Sequence, residues 1–114
     1  MIHRFEVGTR MSEIAVYNGT VYLAGQVAHD SSQDIAGQTR QVLEGIDILL
    51  AQAGSHKGRI LMAQIFIADL HDFAGMNAVW DAWVVPSQTP PRATVQAALA
   101  NTAWKIEVVV TAAV

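Results

Sequence analysis

The segment Asp34–Gly54, DIAGQTRQVLEGIDILLAQAG, decides the fold class, because it is where the hydrophobic period of the chain changes. Ile35, Val42, Ile46, Leu49 and Ala53 recur at intervals of three to seven residues. That spacing winds an apolar stripe along one side of a helix, which Gly54 ends. On the N-terminal side the period is shorter. Ile2–Val7 and Ser12–Tyr17 have strand length, and Asn18-Gly19 is a two-residue hairpin signal leading into Val21–Val27, where Val21, Leu23, Gly25 and Val27 would share one face. On the C-terminal side, Ile60–Ile67 is an apolar run of strand length, suited to a strand buried on at least one face. Asp69 is placed to cap a second helix with Phe73, Met76, Trp80 and Trp83 on its apolar side, and Pro86 lies just past its end.

Beyond that helix, Pro90 and Pro91 lack N–H donors and deliver the chain stiffly into Arg92. Two last strands are expected over Arg92–Ala97 and Trp104–Thr111, joined through residues 98–102. Hairpins mixed with helical crossovers make an α+β fold, a mixed sheet with its helices on one face. No helix remains for the other face. Subunit association would cover it, in keeping with 52% apolar and only 15% charged residues.

The 114 residues show no repeat and no compositional break, so residues 1–114 are read as one domain. No apolar run approaches the roughly 20 residues that cross a bilayer, and the N-terminus lacks the apolar stretch of a signal peptide, so a cytoplasmic protein without membrane contact is expected. Disulfides and thiol chemistry are excluded by the absence of cysteine. Net charge is −3 with the basic residues scattered, which argues against nucleic acid as a partner. His3, His29, His56 and His71 have no metal-ligand spacing, and no phosphate-binding glycine motif or serine elbow is present. Neither metal nor cofactor is expected. Trp80, Trp83 and Trp104 read as core or interface residues rather than base-stacking platforms.

Three places carry candidate chemistry. Gly25, mid-strand, marks either a bulge or a close approach by a ligand or another backbone. Asn77, polar on an aromatic helix face, is either a hydrogen-bonded boundary residue or part of a site. If the last two strands form a hairpin centred near Leu99 and Ala100, Arg92 faces Glu107 across it, and Arg92, Thr94 and Gln96 share a face with Lys105, Glu107 and Val109. Such a pair is either a cross-strand salt bridge or a carboxylate clamp beside a water-positioning glutamate.

Gly25-Gln26 after the hairpin, Asp72-Phe73 followed by Met76-Asn77-Ala78-Val79-Trp80, and Pro91-Arg92-Ala93-Thr94-Val95-Gln96 with Lys105-Ile106-Glu107 together resemble the RidA/YjgF family of reactive intermediate deaminases, whose members are often labelled endoribonuclease L-PSP. The resemblance covers nearly the whole chain and, through Trp80–Val85 and Arg92–Ala97, is nearest to a side branch. It implies a chorismate-mutase-like fold, a six-stranded mixed sheet with two helices on one face. It also implies a homotrimer packed around the other face, with clefts lined by two neighbouring subunits. Carried over position by position, Arg92 matches the arginine that clamps the substrate carboxylate. Gly25 matches the glycine whose backbone contacts ligand, and Glu107 the glutamate near the attacking water. Thr94 matches a small polar residue beside the ligand, and Asn77 an asparagine of the cleft wall. Met11 replaces a tyrosine common in the family, which removes one hydrogen-bond donor to substrate, and the segment from Asn77 to Arg92 is about two residues shorter than usual.

The implied activity is hydrolysis of small 2-imino or 2-enamino acids, of the 2-aminoacrylate type, to 2-oxo acids and ammonia by a 2-iminobutanoate/2-iminopropanoate deaminase-like enzyme. The alternatives are a non-catalytic sensor binding a metabolite carboxylate in the same cleft, and the endoribonuclease or translation inhibitor of the family label.

Overall fold

Residues 1–114 are described by a computed structural model. Its elements are β1 (His3–Val7), β2 (Ser12–Tyr17), β3 (Thr20–Leu23), α1 (Ile35–Gln52), β4 (Ile60–Ile67), α2 (Phe73–Trp83), β5 (Arg92–Gln96) and β6 (Ile106–Ala113). Asn18 and Gly19 both take positive φ, 50° and 76°, as a type I′ turn requires, and Tyr17 pairs directly with Thr20. Helix α1 begins where the Asp34 carboxylate accepts a hydrogen bond from the Gly37 N–H, and Gly54, at φ 81°, follows its end.

The strands form one six-stranded mixed sheet in the order β1-β2-β3-β6-β4-β5. Period-two alternation puts Ile14, Val21 and Leu23, then Ala63, Ile65 and Ile67, then Ile106, Val108, Val110 and Ala112 on one face. Val42, Leu43, Ile46 and Leu50 of α1 and Met76 and Trp80 of α2 close over that face in a single core cluster. The opposite face carries no helix. Tyr22, Met62 and Val95 stand about half exposed there, beside the partly buried Phe66 and Val109. Neither helix is long and apolar enough to cross a membrane.

Three expectations are corrected. Strands β5 and β6 do not form a hairpin: β4 lies between them, parallel to β5 and antiparallel to β6. The physical reason is that β4, apolar along its length, needs ladder partners on both edges, whereas β5 follows two prolines and suits the edge of a sheet. Strand β3 stops at Leu23, and pairing resumes only at Gln26 opposite Val108. Four steps from Tyr22 to Gln26 stand against three from Thr111 to Val108, so one extra residue is accommodated and the face shared by Val21 and Leu23 is not continued to Gly25 and Val27. Asp69 caps a 3-10 turn, Leu70–Asp72, rather than α2 itself, and Phe73 is 41% exposed instead of packed in the apolar stripe.

Candidate functional site

Arg92 opens β5 and pairs in register with Ala63, which puts its side chain on the helix-covered face at the sheet edge. There its Cζ lies 5.2 Å from the centre of the Trp80 ring on α2. Trp80 packs against Trp83 at 5.4 Å with the rings tilted by 52°, and the Trp83 indole N–H donates to the Asp47 carboxylate at 2.9 Å. Asn77 stands one turn before Trp80 on α2, and Thr94 two residues after Arg92 on the same strand face. The Asn77 Oδ1 and Thr94 Oγ1 atoms are both buried without a hydrogen-bond partner. The same is true of Thr39 Oγ1 on α1.

Glu107 lies elsewhere. It pairs with Phe66, on the face without helices, and its carboxylate runs under Gly25. A Cβ at Gly25 would sit 2.9 Å from Glu107 Cδ and 3.2 Å from Cγ. The bulge reading of Gly25 therefore holds, and what comes close to it within the chain is the Glu107 side chain rather than a ligand or another backbone.

The expected juxtaposition of Arg92 and Glu107 within one chain is overturned. One strand separates β5 from β6, and Arg92 is level with Ala63 whereas Glu107 is level with Phe66, three residues along β4. Two strand spacings and three residue rises put the two Cα atoms roughly 14 Å apart, with the side chains on opposite faces. The salt bridge between them is absent; the ion pair of this chain is the exposed contact of His71 with Asp69 at 3.1 Å. The His71 backbone N–H, donating to Asp69, is the main cause holding that carboxyl below its ordinary range.

Met11 sits in the connection from β1 to β2, half exposed, with its carbonyl accepting from the Gly8 N–H. It belongs to the far end of the strand order from β5. Thus Thr94 shares the strand face of Arg92 and Asn77 stands one turn from the tryptophan that meets it, whereas Gly25 and Glu107 come together and the β2–β3 register carries the start of β2, just after Met11, toward Gly25. A groove of about 590 Å³ between α1 and α2 is lined by Leu43, Val79 and Trp83 with Arg40, Glu44 and Lys57 at its polar positions, and none of the six expected site residues faces it.

The family model described as endoribonuclease L-PSP matches residues 1–114. A member of the YjgF protein family from Neisseria meningitidis superposes with a TM-score of 0.97 at 42% identity, over 99% of this chain and 94% of that one. The chain belongs to the RidA/YjgF family. A RutC family protein of Haemophilus ducreyi is 51% identical over 114 residues, 100% of this chain and 97% of its own. More distant, at 32% identity over 95 residues, 77% of this chain and 74% of its own, is a Salmonella typhimurium protein named 2-iminobutanoate/2-iminopropanoate deaminase. The fold that the sequence resemblance implied, α+β and chorismate-mutase-like, is thereby shown.

Within this RidA/YjgF chain, two contacts around the candidate residues escape a reading of residue spacing. Trp80 was legible as a core aromatic, but its contact with Arg92 depends on which strand lies beneath α2. Gln38 interrupts the α1 stripe between Ile35 and Val42, the one signal of its role in the sequence. Fully buried, it donates to the carbonyls of Ser31, Gln33 and Ala103 and accepts from the Lys105 N–H at 2.9 Å. It ties the loop before β6, and so the approach to Glu107, to the start of α1.

Proposed function

We propose that this RidA/YjgF chain hydrolyses small 2-imino and 2-enamino acids to 2-oxo acids and ammonia. The observation that supports it is the situation of Arg92: partly buried, seated on an aromatic ring, unpaired with any carboxylate of its own chain, and on the same strand face as Thr94. A guanidinium in that setting keeps its charge and offers its planar fork to a carboxylate bidentately. With the carboxylate clamped, water adds to the imine carbon as its proton passes through Glu107 to nitrogen. The carbinolamine then expels ammonia and leaves the 2-oxo group. Imine and water balance against 2-oxo acid and ammonia, so the reaction calls for no cofactor.

One chain does not present Arg92 and Glu107 to the same small substrate. The proposal therefore places the reaction in a cleft between copies of a homotrimer, with Arg92, Thr94 and Asn77 from one and Gly25, Glu107 and Met11 from its neighbour. The half-exposed Tyr22, Met62 and Val95 on the helix-free face give such an assembly its apolar contact. The separation of Arg92 from Glu107 also favours a second reading, a module that clamps a metabolite carboxylate without turning it over. An RNA-cleaving role finds no electrostatic footprint at net charge −3.

The test is 2-oxo acid formation from freshly generated 2-iminopropanoate, measured above spontaneous hydrolysis, with solution mass from light scattering. The expected result is acceleration by a trimer and a loss of about a hundredfold in Arg92→Ala. An Arg92→Ala variant as fast as the parent refutes the mechanism. Tight 2-oxobutanoate binding without acceleration establishes the binding module instead.

A further inference from the structure

A charged side chain that is partly withdrawn from water ordinarily needs a counter-ion, and for arginine that is usually a carboxylate. Arg92 has none within the chain. Its neighbour is the ring of Trp80, itself only 6% exposed, at 5.2 Å. An aromatic face stabilises a cation through its quadrupole while contributing no anion that a substrate carboxylate would have to displace. Behind Trp80 stands Trp83, held by its hydrogen bond to Asp47 on α1 and by Lys57, whose Nζ lies 5.4 Å from the Trp83 ring centre. Both helices therefore converge on the ring that meets Arg92.

We propose that Trp80 is a positioning residue for the carboxylate clamp: its ring holds the Arg92 guanidinium in place of a counter-ion, and the Trp83–Asp47 contact braces that ring. This rests on the reading of Arg92 as the clamp. Its consequence is specific to anionic ligands. With the ring gone, Arg92 loses the surface that restricts its rotamers, and each carboxylate bound must order the side chain afresh. The loss falls on affinity for the carboxylate, on KM more than on kcat.

The test compares Trp80→Leu and Trp80→Phe by calorimetry with 2-oxobutanoate and by turnover of 2-iminopropanoate, each also in an Arg92→Ala background. Trp80→Leu is expected to weaken binding about tenfold, and Trp80→Phe, which keeps an aromatic face, to recover most of it. In the Arg92→Ala background the two substitutions should make no further difference. A tenfold loss that persists without Arg92, or the absence of any loss in a folded Trp80→Leu, overturns the proposal.

A second measurement needs no ligand. In an arginine side-chain NMR spectrum, the Arg92 Nε–H resonance should be displaced by the ring current of Trp80 and return to its ordinary position in Trp80→Leu. An unchanged resonance overturns the seating of Arg92 on Trp80 whatever the activity. A shifted resonance in a protein that binds no 2-oxo acid and hydrolyses no imine places the failure in the proposed function.

Discussion

Gly25→Ala is the substitution whose outcome the structure decides most sharply. The new Cβ would stand 2.9 Å from Glu107 Cδ and 3.2 Å from Cγ, closer than carbon atoms pack, so something has to move. What moves is the end of a flexible side chain on the helix-free face rather than backbone, which sets the cost at the low end of overpacking, about 1 to 1.5 kcal/mol. Against it stands the stiffening of the unfolded chain when glycine becomes alanine, about 0.5 kcal/mol, because Gly25 does not use positive φ. The net destabilisation is about 0.5 to 1 kcal/mol, a fall in Tm of roughly 2 to 4 °C. In a Glu107→Ala background the obstruction is gone, only the second contribution survives, and Gly25→Ala should become neutral or raise Tm by roughly 2 °C. Thermal denaturation of the four proteins by circular dichroism measures this coupling. Equal shifts in the two backgrounds would refute the reasoning, since Glu107 would then not be what fills the space beside Gly25. The same swing removes the carboxylate from its place, so imine hydrolysis by Gly25→Ala should fall nearly as far as in Glu107→Ala.

Asp34→Ala removes the acceptor for the Gly37 N–H at the start of α1 and should cost about 1 kcal/mol, read as a lower midpoint in urea with an unchanged slope. Gln38→Leu leaves three carbonyls and the Lys105 N–H without their partner in a fully buried site. A loss of about 2 kcal/mol or more should follow, together with faster hydrogen exchange at Lys105. Asp30 accepts hydrogen bonds from the Ser32 hydroxyl, then from Gln33 and the Ser32 N–H, which bring its pKa from 3.8 to about 2. Because the folded value is the lower one, its contribution is complete above pH 3.8 and disappears as pH falls toward about 2. Carboxyl-carbon NMR should give that midpoint, and Ser32→Ala should move it upward; an unmoved midpoint would show that the hydroxyl is not the cause.

Element positions were legible along the chain because they depend on local chemistry. The bounds expected for β2 and β4 coincide with those observed, and α1 differs only by the capping Asp34 and by Ala53. Partners of strands were less legible. The expected β5–β6 hairpin failed although its warning was present: Pro90 and Pro91 before β5 signal an edge, and the apolar length of β4 signals a centre. Trp80 shows the same limit at the site. Its burial followed from helical spacing, but its place beside Arg92 followed from the crossover that brings α2 over the edge strand.

Sequence by itself thus determined the α+β class, the turn at Asn18-Gly19 and the span of α1, since periodicity and positive φ are properties of residues and their near neighbours. Tertiary structure alone decided that β4 separates β5 from β6, that Glu107 answers to Gly25 rather than to Arg92, and that the guanidinium rests on Trp80. The physical reason is that ladder hydrogen bonds join strands without regard to their distance along the chain. A single strand inserted between two others moves a pair of side chains from contact to opposite faces of the sheet.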